Sequence, residues 1–263
     1  MMEKRLYLFQ GGTLHCKEHH VKMHQGIDNN YAIPVPFYLL THPSGHTLID
    51  GGIPPEVAVD AASYWGDVIN TYRPEVSEDD SCLAQLIKLG IDLQDIKFIV
   101  QTHLHLDHTG AIGRFPNATH IVQRKEYEYS QAPDWYSAGS YIKSDIDKAG
   151  QTWFFLDGNS NDYYDIYGDG SLLTVYTPGH SPGHQSILVS LPSGQKVIIA
   201  ADAVYTLDHW NEKSLPGFLD SATDSVRSVK KLRILCEETN ALLITGHDPD
   251  TWPTLRHSPE YYS

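Results

Sequence analysis

The run Ile96 to Gly110, IKFIVQTHLHLDHTG, constrains this chain more than any other stretch. Its apolar, β-branched start (Ile96, Phe98, Ile99, Val100) reads as a buried strand. Four side chains able to bind a metal follow at once: His103, His105, Asp107 and His108. On an extended segment residues two apart point the same way, so His103 and His105 can grip one ion together. If the backbone then turns into a helix, Asp107 and His108 swing to a different side and can hold a second ion nearby. Imidazole and carboxylate suit zinc or a similar borderline ion. A histidine-rich surface loop is the alternative, but this crowding behind a buried strand favours metal binding.

Three more apolar runs end in the same manner. Leu172 to Tyr176 leads toward His180, Lys196 to Ala201 ends at Asp202, and Ala241 to Ile244 ends near His247. Each of these residues sits in or beside a turn signal: Pro178-Gly179, Ala201-Asp202-Ala203, and Gly246. In α/β folds, sites gather where strand ends and their loops converge. Seven such side chains exceed what one tetrahedral ion needs and suit two ions that share a bridge.

The remaining chain reads as scaffold around these ends. Arg5 to Gln10 is a first strand, ended by Gly11-Gly12. His15, His19, His20 and His24 follow in a solvated loop or strand edge, since no carboxylate or cysteine is interleaved with them. Phe37 to Thr41 and Thr47 to Ile49 form a hairpin across Pro43-Ser44-Gly45. Asp50-Gly51-Gly52, closing it, is either a turn or a group that approaches a metal centre from behind its ligands. Residues 53–76 make a long excursion. A helix then starts at the N-cap Ser77 and stops at Gly90. Thr119 to Val122 is a short strand, and Arg124 to Tyr129 begins a helix. From Tyr127 to Tyr167 the chain is rich in rings, which either wall a substrate pocket or pack on the sheet or a partner subunit. Gln185 to Leu191 pairs with Lys196 to Ala201, and the helix Ser221 to Glu238 turns Val226, Val229, Leu232 and Leu235 inward. Without a repeat or linker, residues 1–263 form one domain.

Composition narrows the partners. A formal charge of −14 disfavours nucleic acid and anionic membranes and makes a neutral substrate easier to attract than an anionic one. The 41% apolar content is enough for a real core at this length. Three widely spaced cysteines (Cys16, Cys82, Cys236) form no disulfide framework or zinc knuckle, which fits a reducing cytoplasm. MMEKRLYLFQGG lacks a signal peptide's apolar core, and no run reaches a transmembrane length. The oligomeric state is not readable from the sequence, and the surplus of rings is compatible with a homodimer.

HLHLDH at 103–108, with His180, Asp202 and His247 behind it, resembles the metallo-beta-lactamase superfamily. TPGHSPGHQS (177–186), DAVYT (202–206) and TGHD (245–248) resemble its quorum-quenching lactonases, which hydrolyse N-acyl homoserine lactones. IPVPFYLLTHPSGHTLIDGG and HLHLDHTGAIGRFPNATHIVQR are most similar to the branch described as γ-butyrolactone lactonases. The resemblance implies a four-layer αβ/βα sandwich. It implies two zinc ions, one held by His103, His105 and His180 and the other by Asp107, His108 and His247, with Asp202 and a hydroxide bridging them. It implies that Tyr205 faces the substrate. Leu106 stands where some members carry Phe and is expected to touch the substrate too, leaving acyl-chain preference open.

The chemistry is coherent on its own terms. A hydroxide between two divalent ions exists near neutral pH. The Tyr205 hydroxyl can donate to a developing oxyanion, and Asp107 is the acid expected to return a proton to the leaving alkoxide. No GxSxG offers a serine nucleophile. His184 is expected in a turn or behind the ligands. Asp248 either caps a turn or orients His247, and His42, His46, His120, His209 and His257 are structural or solvent-facing. The competing functions are a glyoxalase-II-like thioesterase, which would want basic residues at the pocket, a non-hydrolytic metal protein, and nucleic-acid cleavage, which the charge opposes.

Overall fold

Strand alternation dictates the layering. In the first strand, β1 (Arg5–Lys17), Leu6 and Leu8 face one way and Tyr7 and Phe9 the other, and all four are buried. The same double burial recurs in β2 (Asn30–Thr41), where Tyr38 and Leu40 oppose Phe37 and Leu39. A sheet apolar on both faces must be covered on both. The computed structural model describes residues 3–263; Met1 and Met2, the start of the segment read for a signal peptide, lie outside them.

The chain continues through β3 (His46–Ile49), α1 (Glu56–Trp65), β4 (Arg73–Glu75), α2 (Cys82–Leu89), β5 (Ile96–Val100), β6 (Thr119–Gln123), α3 (Arg124–Gln131), α4 (Lys143–Ile146) and β7 (Thr152–Leu156). Then come β8 (Tyr163–Asp165), β9 (Leu172–Tyr176), β10 (Gln185–Ser190), β11 (Lys196–Ala201), α5 (Leu207–Trp210), α6 (Ala222–Thr239) and β12 (Leu242–Thr245). One sheet has the order β4-β1-β2-β3-β5-β6-β7 and the other β12-β11-β10-β9-β8. Leu6, Leu8, Tyr38, Leu40, Ile49 and Val100 of the first pack against Leu172, Ile187, Val189, Val197, Ile199 and Ile244 of the second. The first sheet's outer face, with Phe9, Phe37, Leu39 and Ile99, takes Cys82 and Leu86 of α2. The second's, with Val175, Leu188 and Ile198, takes Val229 and Leu232 of α6. The result is the expected helix–sheet–sheet–helix sandwich. Each buried leucine or isoleucine there contributes roughly 1.5–3 kcal/mol.

Register explains why the polar strand ends meet. β3 and β5 are parallel with Ile49 beside Val100, so Asp50 and the HLHLDH turn leave the sheet together. β11 and β12 are parallel with Ala201 beside Thr245, so Asp202 and His247 leave the other sheet together.

Three expectations need correction: Val226, expected to face inward from α6, is exposed there, and the other two concern where elements end. β1 does not end at Gly11-Gly12; it runs on to Lys17, its pairing with β2 shifting between Gln10 and Thr13 as a bulge absorbs the glycines. The helix expected from Ser77 is two pieces: Ser77 caps a short 3-10 turn, Glu78–Asp80, and extended Ser81 (φ −61°, ψ 145°) restarts the chain as N-cap of α2. No helix among the described residues is long and apolar enough to cross a membrane.

Candidate metal centre

All seven side chains named from the sequence converge at one edge of the sandwich, and each is buried. His103, His105 and His180 form one group, Asp107, His108 and His247 another, with ligand atoms in each lying within 4.8 Å of one another. Nε2 of His180 is 3.1 Å from Nε2 of His103 and 2.8 Å from Nδ1 of His105. Asp202 stands between the groups. Its Oδ2 is 3.2 Å from His180 Nε2 and 3.6 Å from His103 Nε2, whereas Oδ1 is 3.3 Å from His247 Nε2 and 3.5 Å from His108 Nε2. One carboxylate therefore addresses both groups, one oxygen to each.

Local backbone builds this. After β5 the HLHLDH segment makes a turn and a short 3-10 helix, Thr109–Ala111, instead of a regular helix. The Asp50-Gly51-Gly52 turn lies directly against it: Gly51 N–H donates to His108 O at 2.9 Å and Gly110 N–H to Gly52 O at 3.0 Å. A Cβ on Gly51 would stand 2.0 Å from the Ala111 nitrogen, so only glycine fits.

A layer of partners holds the imidazoles from behind. Asp50 Oδ2 accepts from His108 Nδ1 at 2.9 Å and from the Thr102 hydroxyl at 2.7 Å, while Oδ1 accepts from the Thr102 N–H. Having donated to Asp50, the Thr102 oxygen is free to accept from His103 Nδ1, 3.1 Å away. His247 Nδ1 donates to Pro34 O at 2.8 Å. Each contact puts the ring proton on Nδ1 and leaves the Nε2 lone pair facing the centre, the arrangement that fixes metal-binding histidines. His184, as expected, sits behind: its Nε2 accepts the Asp202 N–H at 3.1 Å. Asp248 is the turn alternative, its carboxylate accepting from Leu207, Asp250 and Thr251 N–H groups. The remaining histidines lie outside the centre; His42 pairs with Asp169 and His15 with Glu75.

Electrostatics matches a cation's place. Burial, reinforced by neighbouring imidazoles, holds His103 and His105 well below the usual histidine value, and burial lowers His180 to about 4, so all three are neutral donors. Burial opposes charge on Asp202, yet His247, His108, His180 and His103 together keep its carboxyl well below the ordinary range. Burial likewise opposes charge on His108, but Asp107, Asp202 and Asp50 outweigh it and raise the ring. Negative charge that draws a proton there draws a divalent ion equally well. The donor set fits: among the described residues His108 Nε2 and Asp202 Oδ1 are buried with no hydrogen-bond partner, both on the side of Asp107, His108 and His247, and orphaned lone pairs of this kind are what a coordinated ion would satisfy.

The centre floors a pocket with a largely apolar wall. His105, Asp107, Asp202 and His247 open into it, with Leu106 and Tyr205 beside them. The Tyr205 hydroxyl is 3.2 Å from His180 Nδ1. Leu14, Val21, Ile33, Val68, Tyr72 and Phe218 complete the apolar wall. The rings of 127–167 do not line it. They belong to α3, to β7 and β8, which are edge strands of the two sheets, and to the segments between them. Tyr127 packs on Trp153 and Phe155, and Tyr141 meets the ring of His105 edge-on at 4.8 Å. Leu14 and Ile33, cross-strand partners, were signalled by alternation continuing past the Gly11-Gly12 pair: Leu14 and Cys16 inward, His15 and Lys17 outward.

Residues 31–247 match the model of the metallo-beta-lactamase superfamily. N-acyl homoserine lactonase AttM of Azorhizobium caulinodans is 59% identical and that of Agrobacterium fabrum 57%, each aligned over the whole of both chains. An N-acyl homoserine lactone hydrolase with N-hexanoyl-L-homoserine, its product, at the catalytic metal centre superposes with a TM-score of 0.88 at 28% identity, covering both chains fully. The chain belongs to the metallo-beta-lactamase superfamily and, within it, to the family of the N-acyl homoserine lactonases.

Proposed function

We propose that the protein is a metal-dependent lactonase that opens the ring of N-acyl homoserine lactones, and of γ-butyrolactone, to the hydroxy acid. The observation that carries this is Asp202, whose two oxygens face two histidine-containing groups at the floor of an apolar pocket. In this reading His103, His105 and His180 hold one zinc ion, Asp107, His108 and His247 the other, and Asp202 both. Two such ions, when bound, supply a hydroxide nucleophile near neutral pH and Lewis acidity for the carbonyl.

The chain's own residues do the rest. Burial, and then the nearby Asp202 charge, raise Tyr205 well above the usual phenol value, so it keeps its proton. With His180 turning Nε2 to the centre, its Nδ1 proton points at the Tyr205 oxygen. That contact occupies a Tyr205 lone pair and leaves the O–H free to donate to the oxygen that gains charge as the ester carbonyl is attacked. As the ring C–O bond breaks, the Asp107 carboxylate, which opens into the pocket, would take the proton carried by the attacking hydroxyl oxygen and pass it to the departing alkoxide, leaving a carboxylate and an alcohol. Leu106, Ile33, Val68 and Phe218 take up the apolar part of the substrate and exclude water.

Neither lysine nor arginine lines the pocket among the described residues, which suits a neutral lactone better than an anionic thioester. Three free cysteines support a reducing, cytoplasmic setting. The test is a panel of purified-protein assays from γ-butyrolactone to long-chain acyl homoserine lactones, with metal content measured alongside. Lactone opening by protein carrying two ions is expected. Hydrolysis of thioesters alone, or lactone opening by metal-free protein, overturns the assignment.

A further inference from the structure

Glu126, in the first turn of α3, is a fully buried carboxylate with no part in the chemistry above. Its Oε1 accepts the N–H of Leu104 at 3.0 Å and the hydroxyl of Tyr141 at 3.1 Å. Its Oε2 accepts the hydroxyl of Ser181 at 2.7 Å and the N–H of Gly183 at 2.9 Å. Leu104 stands between His103 and His105, Ser181 directly follows His180, and the Tyr141 ring packs edge-on against His105. All four donors thus come from the two turns bearing these three histidines or from the ring against one of them. None comes from the residues that anchor the other group, where His108 leans on Asp50 and His247 on the Pro34 carbonyl. A carboxylate this deep persists only where its oxygens are satisfied, and charged acceptors make the stronger bonds.

We propose that Glu126 is a positioning residue for one half of the centre. Its carboxylate ties the HLHLDH turn to the TPGHSPGH turn and presets His103, His105 and His180 as one metal-binding set, while the Asp107, His108 and His247 set is anchored separately. This rests on the two-ion reading above. In Glu126→Gln the new amide N–H2 is forced against one of two backbone N–H groups, Leu104 or Gly183, that cannot turn away, so the tie between the turns loosens on one side.

The experiment is a cobalt titration of the full-length, metal-stripped protein, followed by calorimetry and by the visible absorption of the bound ion. Wild type should take two ions. Glu126→Gln should weaken one of the two binding steps by about 10–100-fold, with altered absorption for that ion, and leave the other step unchanged. Ser181→Ala, which removes a single donor, should weaken the same step by less. Equal weakening of both steps, or of neither, overturns the role of Glu126. Should Glu126→Gln not fold, Ser181→Ala decides by the same criterion. A wild-type protein that takes fewer than two ions defeats the two-ion reading itself, a different failure from an unaffected variant.

Discussion

The backbone N–H of Asp202 donates to Nε2 of His184 at 3.1 Å, and on the far side of the ring Nδ1 lies 3.1 Å from the Thr177 carbonyl. The carbonyl can only accept, so the ring proton sits on Nδ1 and the lone pair receives Asp202. Ala201, just before, has φ of 46°, a conformation that L-residues other than Asn and Asp adopt reluctantly. His184 therefore helps hold a bent strand end whose side chain faces both groups. His184→Ala should stay folded yet bind zinc about 10–100-fold more weakly, as other losses behind a metal site do. Competition with a coloured chelator measures this, and unchanged affinity would leave His184 a packing residue.

His105→Ala and Asp202→Ala should remove metal and turnover together. Asp202→Ala should be the more severe for metal content, because it takes a donor from both groups whereas His105 serves one. Elemental analysis after dialysis, beside lactone hydrolysis, is the check. Turnover in a metal-depleted variant would defeat the mechanism.

Tyr205→Phe should keep its metal content and lower kcat on the order of 100-fold, the usual loss for one donor to an oxyanion. KM should change little, because the bond is made mainly as charge develops. An unchanged kcat would deprive the hydroxyl of its role.

Two histidines outside the candidate ligand set put an acid limit on stability. Burial lowers both His120 and His209 to about 4. His120 Nε2 accepts the Gly113 N–H and His209 Nδ1 the Thr206 N–H, bonds that protonation of those nitrogens would abolish. Since the folded values lie below the unfolded one, the unfolded chain binds more protons between about pH 4 and 6.5. The contribution is complete above that window and is lost as pH falls through it, by up to roughly 3 kcal/mol for each ring. Urea unfolding of metal-free protein at about pH 7.5 and about pH 5 should show wild type losing more stability than His120→Gln. Equal losses would remove His120 from the account.

The centre was legible because its residues stand at the ends of apolar runs, and register does the remainder. Parallel pairing of Ile49 with Val100 and of Ala201 with Thr245 brings those ends to one edge. The pocket wall was much less legible. Leu14, Ile33, Val68, Tyr72 and Phe218 are scattered singly through the chain and look like any core residues until the fold gathers them. The ring-rich segment drew attention by composition, yet Tyr127, Trp153 and Phe155 pack on one another instead of lining the pocket, and only the ring of Tyr141 meets a candidate ligand. Glu126 was hidden differently: in RKEYEYSQ it passes for a solvated helix acid, and only a buried first turn beside two loops gives it work. A glycine pair reads as a strand terminator unless a bulge absorbs it, which is why β1 looked shorter than it is.

The edge where the layers meet draws His103, His105, Asp107 and His108 from one sheet and His180, Asp202 and His247 from the other. Ions seated there would act as rivets through the sandwich, adding to its cohesion in proportion to how tightly they are held. A chelator would then be a mild denaturant as well as an inhibitor, and loss of the ions would shorten the protein's life as well as silence it.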